Sequence, residues 1–230
     1  MTPNGKPLPD WSPRIIPPRK ILLGRYTRLE PLDPAKHGDD LVAAFKITDP
    51  NSWTYLFHGP FNDDAGIRRW LVDSANASAF VYYAIIEHAT GRAAGIASYM
   101  RMDPANGVIE VGSIHYSDEL KRTRASTEAM YLMMCHVFDD LGYRRYEWKC
   151  NSFNEPSRRT ALRLGFSFEG IFRNHMVVKG HSRDTAWFAI TDDEWPRLKA
   201  AFEKWLAPEN FDSAGKQQAS LSSKIKSAVS

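Results

Sequence analysis

The stretch EVGSIHYSDELKRTRASTE, Glu110–Glu128, decides how this chain folds. It reads as a strand, a turn and the start of a long helix. The apolar positions of the strand are Ile109 and Val111, then Ile114 and Tyr116. The alternation therefore slips by one residue at Gly112-Ser113. A period of two cannot slip without an extra residue, so a β-bulge is predicted there. The plainer alternative is an ordinary strand end with a flexible glycine. Beyond the strand, Lys121, Arg122 and Arg124 crowd the first turn of the helix. Cations at a helix N-terminus oppose the macrodipole, at a cost of about 0.3–1 kcal/mol each. Exposed backbone N–H groups at the same place favour an anion, which would give the cations a use.

Working outward, the pattern alternates between strands and helices. Tyr26–Leu32 reads as a first strand, and Asp39–Lys46 and Asp63–Asn76 as two helices. The loop between the helices, Trp53–Phe61 (WTYLFHGPF), is aromatic. Phe80–Glu87 and Ala93–Met102 are rich in β-branched and aromatic residues and joined by the turn His88-Ala-Thr-Gly91. Asn106-Gly107 is a tight-turn signal leading into the bulged strand, Val108–Tyr116. A helix is expected over Ser126–Leu141, stopped by Gly142. Arg145–Cys150 reads as a strand with Tyr146, Trp148 and Cys150 on one face and Arg145, Glu147 and Lys149 on the other. Asn154 caps a short helix with Pro156 in its first turn and Gly165 at its end. Phe166–Phe172, Met176–Val178 and Thr185–Ile190 form a closing hairpin, and Glu194–Trp205 a final helix. The order β-α-α-β-β-β-α-β-α-β-β-α predicts an α/β (α+β) architecture, a mixed sheet with helices on its faces.

Composition bounds the rest. The chain has 230 residues, 43% hydrophobic and 25% charged, which fits one well-cored domain. Residues 1–23 form a proline-rich arm, with Trp11 and Ile15–Ile16 as anchors. The domain proper is expected over 24–206 and a polar tail over 207–230, frayed from 212 onward. No apolar run is long enough to span a membrane. The N-terminal MTPNGKPLPDW has no apolar core of a signal peptide, so a cytoplasmic location is expected. The two cysteines, Cys135 and Cys150, sit in apolar periodic segments and read as reduced core thiols. They are too few for a metal cluster, so no metal is expected. A net charge of +3 with scattered basic residues argues against nucleic acid.

The bulged strand runs straight into the cationic helix start. An open strand edge beside an anion-binding turn suits a ligand with a phosphate at one end and a peptide-like arm. Coenzyme A has that form. Four segments carry a resemblance at this point: VIEVGSIHYS, ELKRTRASTEAM, RRYEWKC and NSFNEPSRRTALRLGFSFEGIFR. Over roughly residues 24–206 the chain resembles the GCN5-related N-acetyltransferase (GNAT) superfamily, and most of all its ribosomal-protein N-terminal acetyltransferase branch. Asn154, Ser157, Arg158, Leu164-Gly165-Phe166 and Glu169-Gly170 fall in the family's order and spacing. The resemblance implies a mixed, mostly antiparallel seven-stranded sheet with a β-bulge in the fourth strand, and acetyl-CoA as cosubstrate. It also implies an amine acceptor, a peptide N-terminus or a small molecule, and a monomer or homodimer.

One departure matters. The family's pyrophosphate loop reads Arg/Gln-x-x-Gly-x-Gly/Ala. The aligned residues here are Lys121-Arg122-Thr123-Arg124-Ala125-Ser126, with Arg124 at the glycine. Either the arginines add guanidinium contacts to the pyrophosphate, or the loop is a relic in a non-catalytic CoA-binding or protein-interaction module. Coenzyme A contacts are expected from these six residues and from Ser113, Ile114, Tyr116, Asn154 and Arg158. The bulge N–H groups near Ser113–Ile114 would polarise the thioester carbonyl. For the base, Glu110 and His115 are candidates; Glu110 could equally face solvent and His115 serve structure. The tyrosine many relatives use as acid falls on Ala161, so Ser157 takes that role. Acceptor specificity in the family comes from the interhelical loop and the closing hairpin. Trp53, Tyr55, Phe57 and His58 represent the loop here. Asn174, His175, His181 and Arg183 represent the hairpin.

Overall fold

The computed structural model describes residues 4–227. Eight strands form one sheet in the order β1-β2-β3-β4-β5-β6-β8-β7. Its central meander is β3 (Val81–Glu87), β4 (Ala93–Asp103) and β5 (Val108–Tyr116). Asn106-Gly107 makes the β4–β5 turn; Gly107 has φ +64°, and a Cβ there would meet the Trp11 ring at 2.4 Å. Only glycine fits both demands. Before the meander come β1 (Leu22–Leu23) and β2 (Thr27–Pro31). The two-residue β1 accounts for eight strands where seven are expected, so the bulged strand is fifth rather than fourth.

After the meander the chain enters α3 (Arg124–Cys135), β6 (Arg145–Asn151), α4 (Glu155–Arg163), β7 (Ser167–Val178) and β8 (His181–Thr191). β6 pairs with β5 in parallel and with β8 antiparallel; every other pairing is antiparallel. Both sheet faces are covered, as the continuous burial of Val81–Ile86 requires. Tyr83, Ile85, Ile109 and Val111 pack with α3, α4 and α5 (Trp195–Leu206). Tyr82, Ala84, Ile86 and Ile96 pack with α1 (Pro34–Lys46) and α2 (Asp64–Asn76).

α1 starts five residues before the predicted Asp39, because Asp33 caps it by accepting from the Ala35 N–H and Pro34 fits its first turn. α3 starts at Arg124 rather than Ser126 and ends at Cys135. His136–Asp140 continues it as a wider π turn, with the Leu141 N–H bonded to the His136 carbonyl at 3.1 Å. Glu128 of α3 accepts the backbone N–H groups of Arg25, Tyr26 and Thr27 at 2.9, 2.6 and 2.9 Å. That carboxylate fastens the β1–β2 turn to the helix. Gly24 permits the approach, since a Cβ there would lie 2.5 Å from Glu128 Oε2.

Two expectations need correction. Ile15 and Ile16 are exposed and anchor nothing. The arm is held instead by Trp11, whose Nε1–H donates to the Ala105 carbonyl, and by Tyr143, which donates to the Ile15 carbonyl. Residues 212–227 are not frayed. Trp205 Nε1–H donates to Gln217 Oε1 at 2.9 Å, and α6 (Leu221–Ser227) buries Leu221. The segment carries too few apolar residues to declare that packing in sequence. The charged face of β6 is covered as well: Glu147 and Lys149 sit inside a chain of ion pairs.

Candidate active site

The site begins where β5 and β6 part. Their parallel pairing runs from Val108↔Arg145 to Val111↔Trp148 and stops. Immediately beyond, β5 carries the predicted bulge. Ile96 pairs with His115 and Ser98 with Gly112, so Ser113 and Ile114 together oppose the single residue Ala97. Ser113 takes φ +50°. Tyr82 donates its hydroxyl proton to Ser113 Oγ at 3.1 Å, and Ser98 Oγ–H donates to the Gly112 carbonyl at 3.1 Å. These bonds hold the bulge, which leaves one N–H of the pair outside the ladder.

A cavity of about 1050 Å³ occupies the gap. Its lining takes Ile114, Tyr116, Trp148 and Cys150 from one sheet face and Glu110 and Lys149 from the other. The cavity thus passes between the two strands. Tyr116 Oη is buried in it without a hydrogen-bond partner, and burial pushes its pKa up.

At one end lies the N-terminus of α3. Thr123 is the N-cap, its Oγ1 accepting the Ser126 N–H at 3.1 Å. The N–H groups of Arg124 and Ala125 have no intrahelical acceptor. Lys121, Arg122, Thr123, Arg124, Ala125 and Ser126 all line the cavity. The left-handed residue of this loop is Arg122, φ +64°, and not Arg124, which starts the helix in ordinary geometry. The position matched to the family's glycine thus needs no glycine here. The Arg124 guanidinium sits in the corner formed by Tyr26 and Phe211, 4.6 and 4.7 Å from the ring centroids. Arg163 joins this end, donating to Thr127 Oγ1 at 2.9 Å. A cation in the last turn of a helix is ordinary, so no sequence signal marked Arg163.

In the middle, Asn154 caps α4 by accepting the Ser157 N–H at 3.2 Å. Trp148 Nε1–H donates to Ser157 Oγ at 2.9 Å. Indole is a donor only, so the serine's own proton is left for another acceptor, and the Cys150 sulfur is one within reach. Cys150 lines the cavity beside Ser157, its thiol pushed up by burial.

At the far end, Glu110 is buried, with Lys149 Nζ at 2.9 Å and Arg101 at 3.0 Å. Lys149 is shared with Glu147, which pairs with Arg145, which pairs with Glu169. Arg101 reaches Glu110 because β4 has its own bulge: Arg101 (φ +44°) and Met102 oppose Ile109 alone. Tyr55, Leu56, Phe57, His58 and Arg183 complete this end. The tip of the β7–β8 hairpin crosses to the aromatic loop. Lys179 Nζ donates to the Trp53 and His58 carbonyls at 2.9 and 3.1 Å.

Six predicted site residues fall outside the cavity lining. His115 shares a sheet face with Glu110 but is covered by Trp53 (ring centroids 3.7 Å apart) and Phe45 (4.6 Å). Burial pushes its pKa down to about 3, so it sits in the core as a neutral ring. Trp53 is itself buried, packed against Phe61 and Trp70 as well. Arg158 turns back to the Ser152 carbonyl and to Glu155. His175 is exposed on β7, its Nδ1 3.0 Å from Thr185 Oγ1. Asn174 and His181 of the hairpin also lie off the cavity.

Comparison with known proteins gives the site a family. Residues 28–167 match the model of the acetyltransferase (GNAT) domain. No curated protein matches the chain. A GCN5-related N-acetyltransferase from Brucella melitensis is 53% identical, with a TM-score of 0.93 over 95% of this chain and 100% of its own. A probable GNAT-family acetyltransferase from Chromobacterium violaceum is 37% identical, with a TM-score of 0.79 over 85% and 98%. The microcin C7 self-immunity acetyltransferase MccE, solved with acetyl-CoA and AMP, shares the fold at 20% identity, a TM-score of 0.63 and coverage of 73% and 93%. Sequence and fold therefore agree: the chain is a member of the GNAT family, an N-acetyltransferase.

Proposed function

We propose that the protein transfers acetyl from acetyl-CoA to a primary amine, of a peptide N-terminus or a small molecule, by direct attack in a ternary complex. The observation that carries this reading is the end of β5–β6 pairing at Val111↔Trp148, with the Ser113–Ile114 bulge just beyond it on a cavity shared with the α3 N-terminus. An extended pantetheine arm can pair with the open edge of β5 as an added strand. The first-turn N–H groups of α3 suit the pyrophosphate, with Lys121, Arg122, Arg124 and Arg163 nearby. An open β5 edge, unpartnered Tyr116 Oη and cations at a helix start are all features that fit this cosubstrate.

In the reaction the amine nitrogen bonds to the thioester carbonyl carbon and the carbon–sulfur bond breaks. The amine loses a proton and the departing sulfur gains one. The bulge supplies N–H donors for the carbonyl oxygen. Glu110, directly or through water, accepts from the incoming ammonium. Ser157, fixed by Trp148, gives its proton toward the sulfur. His58 at the acceptor end has its pKa lowered by desolvation and by nearby Lys179, so it stays neutral at pH 7 and can also take a proton. Holding both reactants in one cavity supplies much of the acceleration. The Asn154–Gly170 segment and Ser157 support kinship with the ribosomal-protein branch, and with it a peptide acceptor.

Titration calorimetry with acetyl-CoA, followed by CoA release across an amine panel, tests the reading. Binding with amine-dependent CoA release is expected. Absence of acetyl-CoA binding would overturn it.

A further inference from the structure

The acceptor end of the cavity holds more positive charge than its carboxylates neutralise. Arg183 on β8 is 5% exposed. Its Nε–H donates to Thr185 Oγ1 at 3.2 Å, and the guanidinium lies 5.2 Å from the Phe57 ring centroid. Among the described residues no carboxylate pairs with it. A guanidinium carries five N–H donors, and one is used. The nearby carboxylate, Glu110, holds Arg101 and Lys149 and makes no ion pair with Arg183. Glu147, the next acid along, holds Lys149 and Arg145. Arg101, Lys149 and Arg183 thus face the cavity against Glu110 alone at this end.

A buried, unpaired cation is costly to fold around, and removing an anion from beside one is costly too. A chain that buries Arg183 in a substrate cavity is complementary to a ligand that brings an anion with it. A planar fork matches a carboxylate or phosphate group best. A polyamine or other multiply cationic amine would meet repulsion at the same spot.

We infer that Arg183 receives an anionic group of the acceptor, so that the acceptor is an amine also bearing a carboxylate or a phosphate. The inference rests on the acetyl-transfer reading above and narrows its substrate class. Phe57, stacked on Arg183, links the aromatic loop to that recognition.

Matched acceptor pairs test it by acetyl-CoA-dependent CoA release. Amino acids against their amides isolate the carboxylate, phosphoethanolamine against ethanolamine isolates the phosphate, and spermidine serves as the cationic control. The anionic member of at least one pair should have the higher kcat/KM, by about 10- to 100-fold. Arg183→Gln should abolish that preference, and Arg183→Lys should keep part of it, with acetyl-CoA affinity unchanged in both. Acetylation of neutral or cationic amines as well as or better than anionic ones would overturn the inference and leave the acetyl-transfer reading standing. Persistence of the anionic preference in a folded Arg183→Gln would also overturn it. If no panel amine turns over, calorimetric binding of the same pairs to the CoA-loaded protein decides. Anion-dependent binding lost in Arg183→Gln supports the inference, and equal or absent binding overturns it. Failure to bind acetyl-CoA at all would defeat both.

Discussion

Arg122 gives the sharpest separation of strain from function. It is a non-glycine residue at φ +64° in the loop that starts α3. A side chain held in that region costs about 1 kcal/mol. Arg122→Ala keeps the strain and removes the cation; Arg122→Gly removes both. The glycine variant should therefore be about 1 kcal/mol more stable than the alanine variant, or roughly 2–4 °C in Tm for a chain of this size. The charge effect is separate. Arg122 is exposed, so solvent screens its pull on a phosphate, and both variants should lose only about fivefold to tenfold in acetyl-CoA affinity. Arg124, half-buried against Tyr26 and Phe211, has already given up rotamer freedom. Arg124→Ala should cost more, about 2 kcal/mol or roughly 30-fold. Thermal melts and calorimetry with acetyl-CoA, repeated with acetyl-pantetheine, read both effects. Acetyl-pantetheine lacks the pyrophosphate, so its affinity should not change. Equal Tm for the glycine and alanine variants would refute the strain. Unchanged acetyl-CoA affinity in Arg124→Ala, or equal losses for both ligands, would refute the pyrophosphate assignment.

Three further outcomes follow from buried polar groups. Glu128→Ala strands three backbone N–H groups and should destabilise by about 3 kcal/mol in urea denaturation, with Glu128→Gln roughly half as harmful; a loss under about 1 kcal/mol would show that water replaces the carboxylate. His115 and His136 have pKa values pushed down by burial to about 3 and about 4. The unfolded chain therefore takes up protons first, and the stability they contribute is complete above pH 6.5 and lost as pH falls toward those values. At pH 5 the loss should be about 2 kcal/mol each, and flat stability between pH 7.5 and 5 would contradict it. Ser157→Ala should lower kcat by about tenfold or more while leaving acetyl-CoA affinity nearly intact, whereas equal turnover would remove Ser157 as the acid.

Much of this was legible because one face or one backbone torsion dictated it. The slip from Ile109 and Val111 to Ile114 and Tyr116 is a direct trace of the bulge, since parity must be kept against a buried face. Asn106-Gly107 and the Asn154 cap are local chemistry that no tertiary contact overrides. What stayed hidden depended on neighbours distant in sequence. His115 and Glu110 have the same parity about the bulge, and only the placement of Trp53 and Phe45 decides that one is core and the other cavity. The alternating charges of β6 look like a solvated face, but partners on β5 and β7 bury them as ion pairs. The family alignment puts its glycine at Arg124, but the turn geometry makes Arg122 the left-handed residue.

A crystal structure of the protein with acetyl-CoA tests the central claim most directly. The pyrophosphate should lie on the N–H groups of Arg124 and Ala125, and the pantetheine arm should pair with the Gly112–Tyr116 edge. The thioester should sit within hydrogen-bond reach of the Ser113–Ile114 bulge and of Ser157. Acetyl-CoA bound elsewhere, or an arm that leaves the gap between β5 and β6 empty, would contradict the account.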